Sequence, residues 1–215
     1  MKFMQNYKIF IFDFDGVILN SHVVKTKAFY RVFLKYGTNI AIKAKKLHLR
    51  YMGMPRKKKI DLINSLYLNK SLNKNELNKI NIKFETIIRN KILKMKLNKN
   101  LINFFKLKKK KKIFYISTGT DQSEMINLCK LKKISHFFSK IYGSPKTKMQ
   151  HISDIIKKNN VNTKDILFVG DSLSDYKAAK IKKVDFICKS NSENKFSFKN
   201  LKISRINKFK QLYRL

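Results

Sequence analysis

The sequence predicts an α/β protein: a mostly parallel sheet flanked by helices, with an α-helical domain inserted after the first strand. Three observations lead there. Short apolar runs rich in β-branched and aromatic residues (Ile9 to Phe12, Ile113 to Ser117, Ile166 to Val169) read as strands buried on both faces. From the second run onward, strands alternate with stretches whose apolar residues recur at helical spacing. Residues from about 38 to 100, by contrast, carry helical spacing alone. The boundaries that follow are a discontinuous core at 1–19 and 98–215 and a helical domain at 20–97.

Each element has its local reason. The first run ends in Asp13-Phe14-Asp15-Gly16, where glycine permits a turn. Asn20 or Ser21 caps a helix that begins near His22, carries Val23, Val24, Phe29, Val32 and Phe33, and stops at Gly37. Three apolar sets follow: Leu47 to Met52; Ile60, Ile63, Leu66 and Tyr67; and a longer stripe from Leu77 to Leu93. They read as the core of a small helical domain. Gly53 and Pro55 force its one clear break, and Arg56 opens the next helix. Such a helix start suits an anionic group, and equally an ordinary solvated loop.

A helix near Leu101 to Leu107 leads into the second strand, which ends in a hydroxyl-rich turn, Thr118-Gly119-Thr120. The next helix starts at Asp121 or Gln122, and a short strand spans Lys140 to Tyr142. The turn Gly143 to Lys148 precedes a helix with Ile152, Ile155 and Ile156. The third strong strand ends in Gly170-Asp171-Ser172-Leu173-Ser174-Asp175 and a helix through Ala178 and Ala179. Val184 to Cys188 makes a further strand, Leu201 to Ile203 an edge strand, and Phe209 to Leu212 a terminal helix.

Composition narrows the class. At 215 residues and 43% hydrophobic, the chain has the material for a real core. The net charge of +37 suggests a polyanion partner, but the excess is lysine spread over the whole chain, with no aromatic-interleaved stripe that would stack bases. The dense run Lys108 to Lys112 reads as a solvated helix end. Cys129 and Cys188 are isolated and read as small buried residues. With no leader before the first strand and no long apolar run, a soluble, cytoplasmic protein without membrane contact is expected.

The chemistry gathers at strand ends. Carboxyl ends of parallel strands face one way, so Asp13-x-Asp15-Gly16, Thr118-Gly119-Thr120, a lysine in the Gly/Pro turn, and Gly170-Asp171 to Asp175 can share one crevice. Two carboxylates as close as Asp13 and Asp15 repel unless a proton or cation lies between them, and a hard divalent ion such as Mg²⁺ suits oxygen ligands. Taken alone, the Asp-x-Asp-Gly run also fits a hairpin turn or a calcium loop. Together with a hydroxyl, backbone N–H groups and a lysine, it makes a kit for phosphoryl transfer.

With "DFDGVILNS", "STGT", "GSPKTK" and "GDSLSD" in this order, the chain resembles the haloacid dehalogenase superfamily of phosphohydrolases up to about Lys189. The likeness is to phosphoglycolate-phosphatase-like members with a helical C1-type cap on a Rossmann-like core. The resemblance implies that Asp13 is the nucleophile and Asp15 the general acid and base. It implies Mg²⁺ held by Asp13, the Asp15 backbone carbonyl and Asp171, with Asp175 supporting the metal or orienting the lysine. Thr118 and the Gly119 N–H would bind phosphate oxygens, with Ser117 as the alternative; Lys148 is favoured over Lys146 as the catalytic lysine. Asn20 stands where relatives often carry Asp, and is expected to matter little. The cap would choose the substrate, with Arg56 first among its candidates, then His48 and Lys59.

The expected activity is Mg²⁺-dependent hydrolysis of a small phosphorylated metabolite, a sugar phosphate or phosphoglycolate-like ester, by a monomer or small homo-oligomer. The alternatives are a phosphomutase of the same family (β-phosphoglucomutase-like) and a basic nucleic-acid-binding protein on an idle scaffold. Intact acidic and hydroxyl positions speak against the last, and no specific nucleic acid partner is expected.

Overall fold

A computed structural model describes residues 6–69, 72–191, 194 and 198–215. Contacts divide the chain into two units, Met1–Asn20 with Lys96–Leu215, and Ser21–Met95. Strand β1 (Ile9–Phe12) is followed by the helices α1 (His22–Phe33), α2 (Thr38–Arg50), α3 (Arg56–Tyr67) and α4 (Lys74–Lys94) of the second unit. The chain then alternates: α5 (Lys99–Lys108), β2 (Ile113–Asp121), α6 (Gln122–Leu131), β3 (Lys140–Ser144), α7 (Lys148–Asn159), β4 (Ile166–Gly170), α8 (Leu173–Ile181), β5 (Asp185–Lys189) and β6 (Ser204–Ile206).

The six strands form one sheet in the order β3-β2-β1-β4-β5-β6, with all its pairs parallel. β1 is central, so both its faces are buried and it reads as an unbroken apolar run. Its side chains alternate. Ile9 and Ile11 join Tyr115, Ile166 and Phe168 beneath Ile152 and Ile155 of α7 and Ala178 and Ala179 of α8. Phe10 and Phe12 face the other way, against Phe104 of α5 at 5.4 Å and Phe105 at 5.2 Å between ring centroids. Phe114 closes that layer on Phe105 at 5.1 Å. Each phenylalanine so buried contributes roughly 1.5–3 kcal/mol.

The helical unit is built on the same logic with a period of 3.6. Ile80, Phe84, Ile88 and Ile92, four apart on α4, are its buried stripe. Asn73 and Glu76 cap α4 reciprocally, each side chain accepting the other's backbone N–H at 2.9 and 3.1 Å. α1 ends earlier than its sequence suggests: a 3-10 turn, Leu34–Tyr36, intervenes before Gly37, whose φ of +97° closes the segment.

Five details of the sequence reading shift. β2 does not stop at Ser117 but continues to Asp121, which pairs with Ser144 after a break in register, and β3 is correspondingly longer. β5 starts at Asp185 rather than Val184. The edge strand is Ser204–Ile206, because the register with β5 runs Ile187 to Ser204, whereas Ile203 turns back on Leu201. The terminal segment Phe209–Arg214 is a 3-10 helix, docked by Tyr213 on Phe104 and on the Asn100 carbonyl. Cys129 and Cys188 are fully buried, and burial pushes both thiols up to about 12. Among the described residues, no helix is long and apolar enough to cross a membrane.

Candidate active site

Asp13 is the first residue past β1, and its backbone N–H donates to the Val169 carbonyl at 2.9 Å. That bond ties the ends of β1 and β4 together, and β4 runs on through Gly170 to Asp171. After Asp13 the chain reverses: Gly16, at φ +79°, donates to the Leu19 carbonyl at 2.7 Å. α7 starts beside these strand ends, with Thr147 and Gln150 capping each other so that Lys148 is its first residue.

The Lys148 ammonium is the hub. It donates to Asp13 Oδ2 at 2.7 Å and to Asp175 Oδ1, and all three side chains are buried. Asp175 Oδ2 accepts the Ser172 hydroxyl at 2.6 Å and the N–H groups of Ser172 and Asp171 at 3.0 and 3.2 Å. The aspartate thus caps α8 with one oxygen and holds the lysine with the other. Gly170 makes this possible, since a Cβ there would stand 2.5 Å from the Asp175 Cβ.

Charge in this cluster does not balance. Asp13, Asp171 and Asp175 each place an oxygen within 4.8 Å of the others, against one ammonium. Burial, and then the charge of Asp175, push the Asp13 carboxyl well above its usual range; Lys148 opposes them, while Asp171 and Asp15 add to the push. Burial would lower the Lys148 ammonium, but Asp13 and Asp175 outweigh it and hold it above its ordinary value. An all-oxygen, doubly anionic, buried donor set is what a hard divalent cation requires, so these residues fit Mg²⁺.

The remaining residues fall into three groups. Thr118 and Gly119 lie on β2, just past the Phe12–Ile116 pairing, and Thr118 Oγ1 accepts the Thr120 N–H at 3.3 Å. Asp15 is half-buried and is not among the three clustered carboxylates; its Oδ2 accepts the Thr120 hydroxyl at 3.1 Å. Ser117 turns to α7: its Oγ lies 2.9 Å from His151 Nδ1, and His151 Nε2 lies 3.2 Å from the Gly143 carbonyl. Lys146 is exposed and paired with Asp154 at 2.8 Å.

In the helical unit, His48 and Lys59 are each 4% exposed, 3.1 Å apart, with the His48 ring stacked on Phe29 at 4.5 Å. Arg56 donates to Asn81 at 3.0 Å and to Glu85 at 2.8 Å, and its guanidinium lies over Phe84. Asn20 is exposed.

Sequence reasoning missed Thr120, Ser172 and the asparagines behind Asp171. Asn191 Nδ2 donates to Asp171 Oδ2 at 2.7 Å, and Asn194 Nδ2 to the Asp171 carbonyl at 2.9 Å. Their signal was positional: they follow the carboxyl end of β5, beside β4, where ligands gather in such sheets.

Comparison with known proteins agrees with this architecture. A predicted phosphoglycolate phosphatase from Haemophilus somnus superposes with TM-score 0.78 and 18% identity, covering 98% of both chains. CbbY from Rhodobacter sphaeroides, in complex with xylulose-1,5-bisphosphate, gives 0.73 and 14% over 96% of both chains. YfnB from Bacillus subtilis, described as a HAD-type hydrolase bound to magnesium, gives 0.68 and 15%, covering 97% of this chain and 98% of its own. No curated protein sequence matches the chain significantly. The profile of the haloacid dehalogenase-like hydrolases matches residues 10–189, and with most of its length so covered the chain belongs to that family.

Proposed function

We propose that the chain is a Mg²⁺-dependent phosphatase that hydrolyses a small phosphorylated metabolite, a sugar phosphate or phosphoglycolate-like ester, through a phosphoryl group carried on Asp13. The observation that carries this reading is the buried Asp13–Lys148–Asp175 chain with Asp171 beside it. The sugar bisphosphate held by CbbY and the magnesium bound to YfnB, both on this fold, support it.

In the first step an Asp13 oxygen bonds to phosphorus as the ester oxygen departs, and Asp15 gives that oxygen its proton. In the second, Asp15 takes a proton from the water that attacks the same phosphorus, releasing phosphate and restoring Asp13. Thr118, whose Oγ1 accepts the Thr120 N–H, keeps its own O–H to donate to a phosphate oxygen, alongside the Gly119 N–H. Lys148 offsets the charge of Asp13 as the phosphate approaches. Asp13, the Asp15 carbonyl and Asp171 would hold Mg²⁺, which would supply further positive charge to the phosphoryl oxygens. Asp175 serves the site by orienting Lys148. The helical unit, Ser21–Met95, acts as the cap that excludes water and selects the substrate. Arg56 is its leading substrate contact, since His48 and Lys59 are buried in the unit's own core.

The test is phosphate release from a panel of sugar phosphates, phosphoglycolate and nucleotides, with and without Mg²⁺. Turnover is expected only with the metal, and Asp13→Asn and Lys148→Ala each abolish it while Lys146→Ala does not. An isomerised ester in place of free phosphate would make the enzyme a mutase. Oligonucleotide binding at physiological salt without turnover would replace the enzyme reading altogether.

A further inference from the structure

The geometry points to Asn191 as the positioning residue of the metal ligand Asp171, an inference that rests on the Mg²⁺-dependent reading above. Asp171 is fully buried, and a carboxylate without fixed partners rotates about its Cβ–Cγ bond. Here the Asn191 amide donates to Oδ2 at 2.7 Å. An amide N–H₂ only donates, so it occupies that oxygen and limits how this carboxylate, one of the three clustered with Asp13 and Asp175, can turn.

The asparagine is itself held. Asn191 and Asn194 each donate a backbone N–H to the other's side-chain oxygen at 3.0 Å. Asn194, 1% exposed, then spends its amide on the carbonyls of Asp171 and Lys189, both at 2.9 Å. Asn191 and Asn194 thereby hold both ends of one residue, the Asp171 carboxylate and its main chain. Such supporting bonds set how well a metal ligand is aimed, and losing one costs about 10- to 100-fold in metal affinity or activity.

Two variants separate aiming from folding. Asn191→Ser keeps an oxygen that accepts the Asn194 N–H, as serine does at helix caps, but lacks the amide donor. Asn191→Ala lacks both. The shift in melting temperature with Mg²⁺ concentration, read without substrate, gives the apparent metal affinity of each; Mg²⁺ activation of phosphate release gives a second value. The expected result is metal-free melting of Asn191→Ser close to wild type, with Mg²⁺ binding weakened about tenfold or more in both variants. Unchanged Mg²⁺ midpoints in Asn191→Ser would overturn the assignment, as would loss of cooperative melting in both variants, which would make Asn191 a turn residue only. A wild-type protein that neither gains stability from Mg²⁺ nor releases phosphate with it would instead sink the metal-dependent reading.

Discussion

His151 sits between two groups that settle its tautomer. The Gly143 carbonyl only accepts, so Nε2 carries the hydrogen, and in a neutral ring Nδ1 then accepts from the Ser117 hydroxyl. Burial pulls its pKa down to about 4; the Gly143 bond resists, and the charge of nearby Lys148 adds to the fall. Between about 4 and the unfolded value of about 6.5, the unfolded chain therefore binds the extra proton. Stability from this residue is complete above that window and is lost as pH falls through it, by roughly 3 kcal/mol at most. Urea melts of wild type and His151→Gln at several pH values should show this slope only in the wild type. Thr120 acts on Asp15 by position: its hydroxyl donates to Asp15 Oδ2 at 3.1 Å. Thr120→Val should therefore lower turnover of a sugar phosphate more than that of an activated aryl ester whose leaving group needs no acid; an equal loss on both would leave Thr120 a structural role. The Asp-x-Asp pair and Lys148 were legible because each sits in a short local pattern. His151 was not, since nothing around it in Lys148-Met149-Gln150-His151 marks it; its partners lie on β2 and β3 and are supplied by the fold alone.

At the scale of elements, the strands were legible because they are short, apolar and doubly buried, and their ends placed the chemistry. The errors came where pairing overrode local preference. Thr118-Gly119-Thr120 has turn composition, yet β2 runs through it because Asp121 finds Ser144 on β3. Gly143 allows that approach: a Cβ there would stand 2.6 Å from both the Thr120 carbonyl and the Gln122 Cα. Gly170 is the counterpart on β4, packed against Asp175. Gly170→Ala forces Asp175 off its cap and away from Lys148. A destabilisation of about 1–3 kcal/mol is expected, together with loss of turnover that added Mg²⁺ does not restore. Thermal melting and phosphate release measure the two effects separately. A fully active Gly170→Ala protein would mean that Asp175 need not hold the lysine where it does.

For the whole molecule, charge acts in two opposed ways. A net +37 drives like charges apart in the folded state, while the same field draws in phosphate esters. Raising salt from low to physiological ionic strength shortens the screening length from about 30 Å to about 8 Å. Melting temperature should therefore rise with NaCl while kcat/KM for an anionic ester falls; a kcat/KM independent of salt would exclude steering. Sequence composition made this field visible, but not how the carboxylates escape it: Asp13, Asp171 and Asp175 are buried and take their partners from within. The position of β1 bears on how such a chain is made. Ile9 pairs with Ile113 on one side and Ile166 on the other. The central strand is thus made before either neighbour, and at translation speeds its four apolar side chains wait roughly 8–30 s for both to be synthesised. Through that interval the nascent chain carries an uncovered sticky segment, a demand on holding chaperones set by topology rather than by final stability.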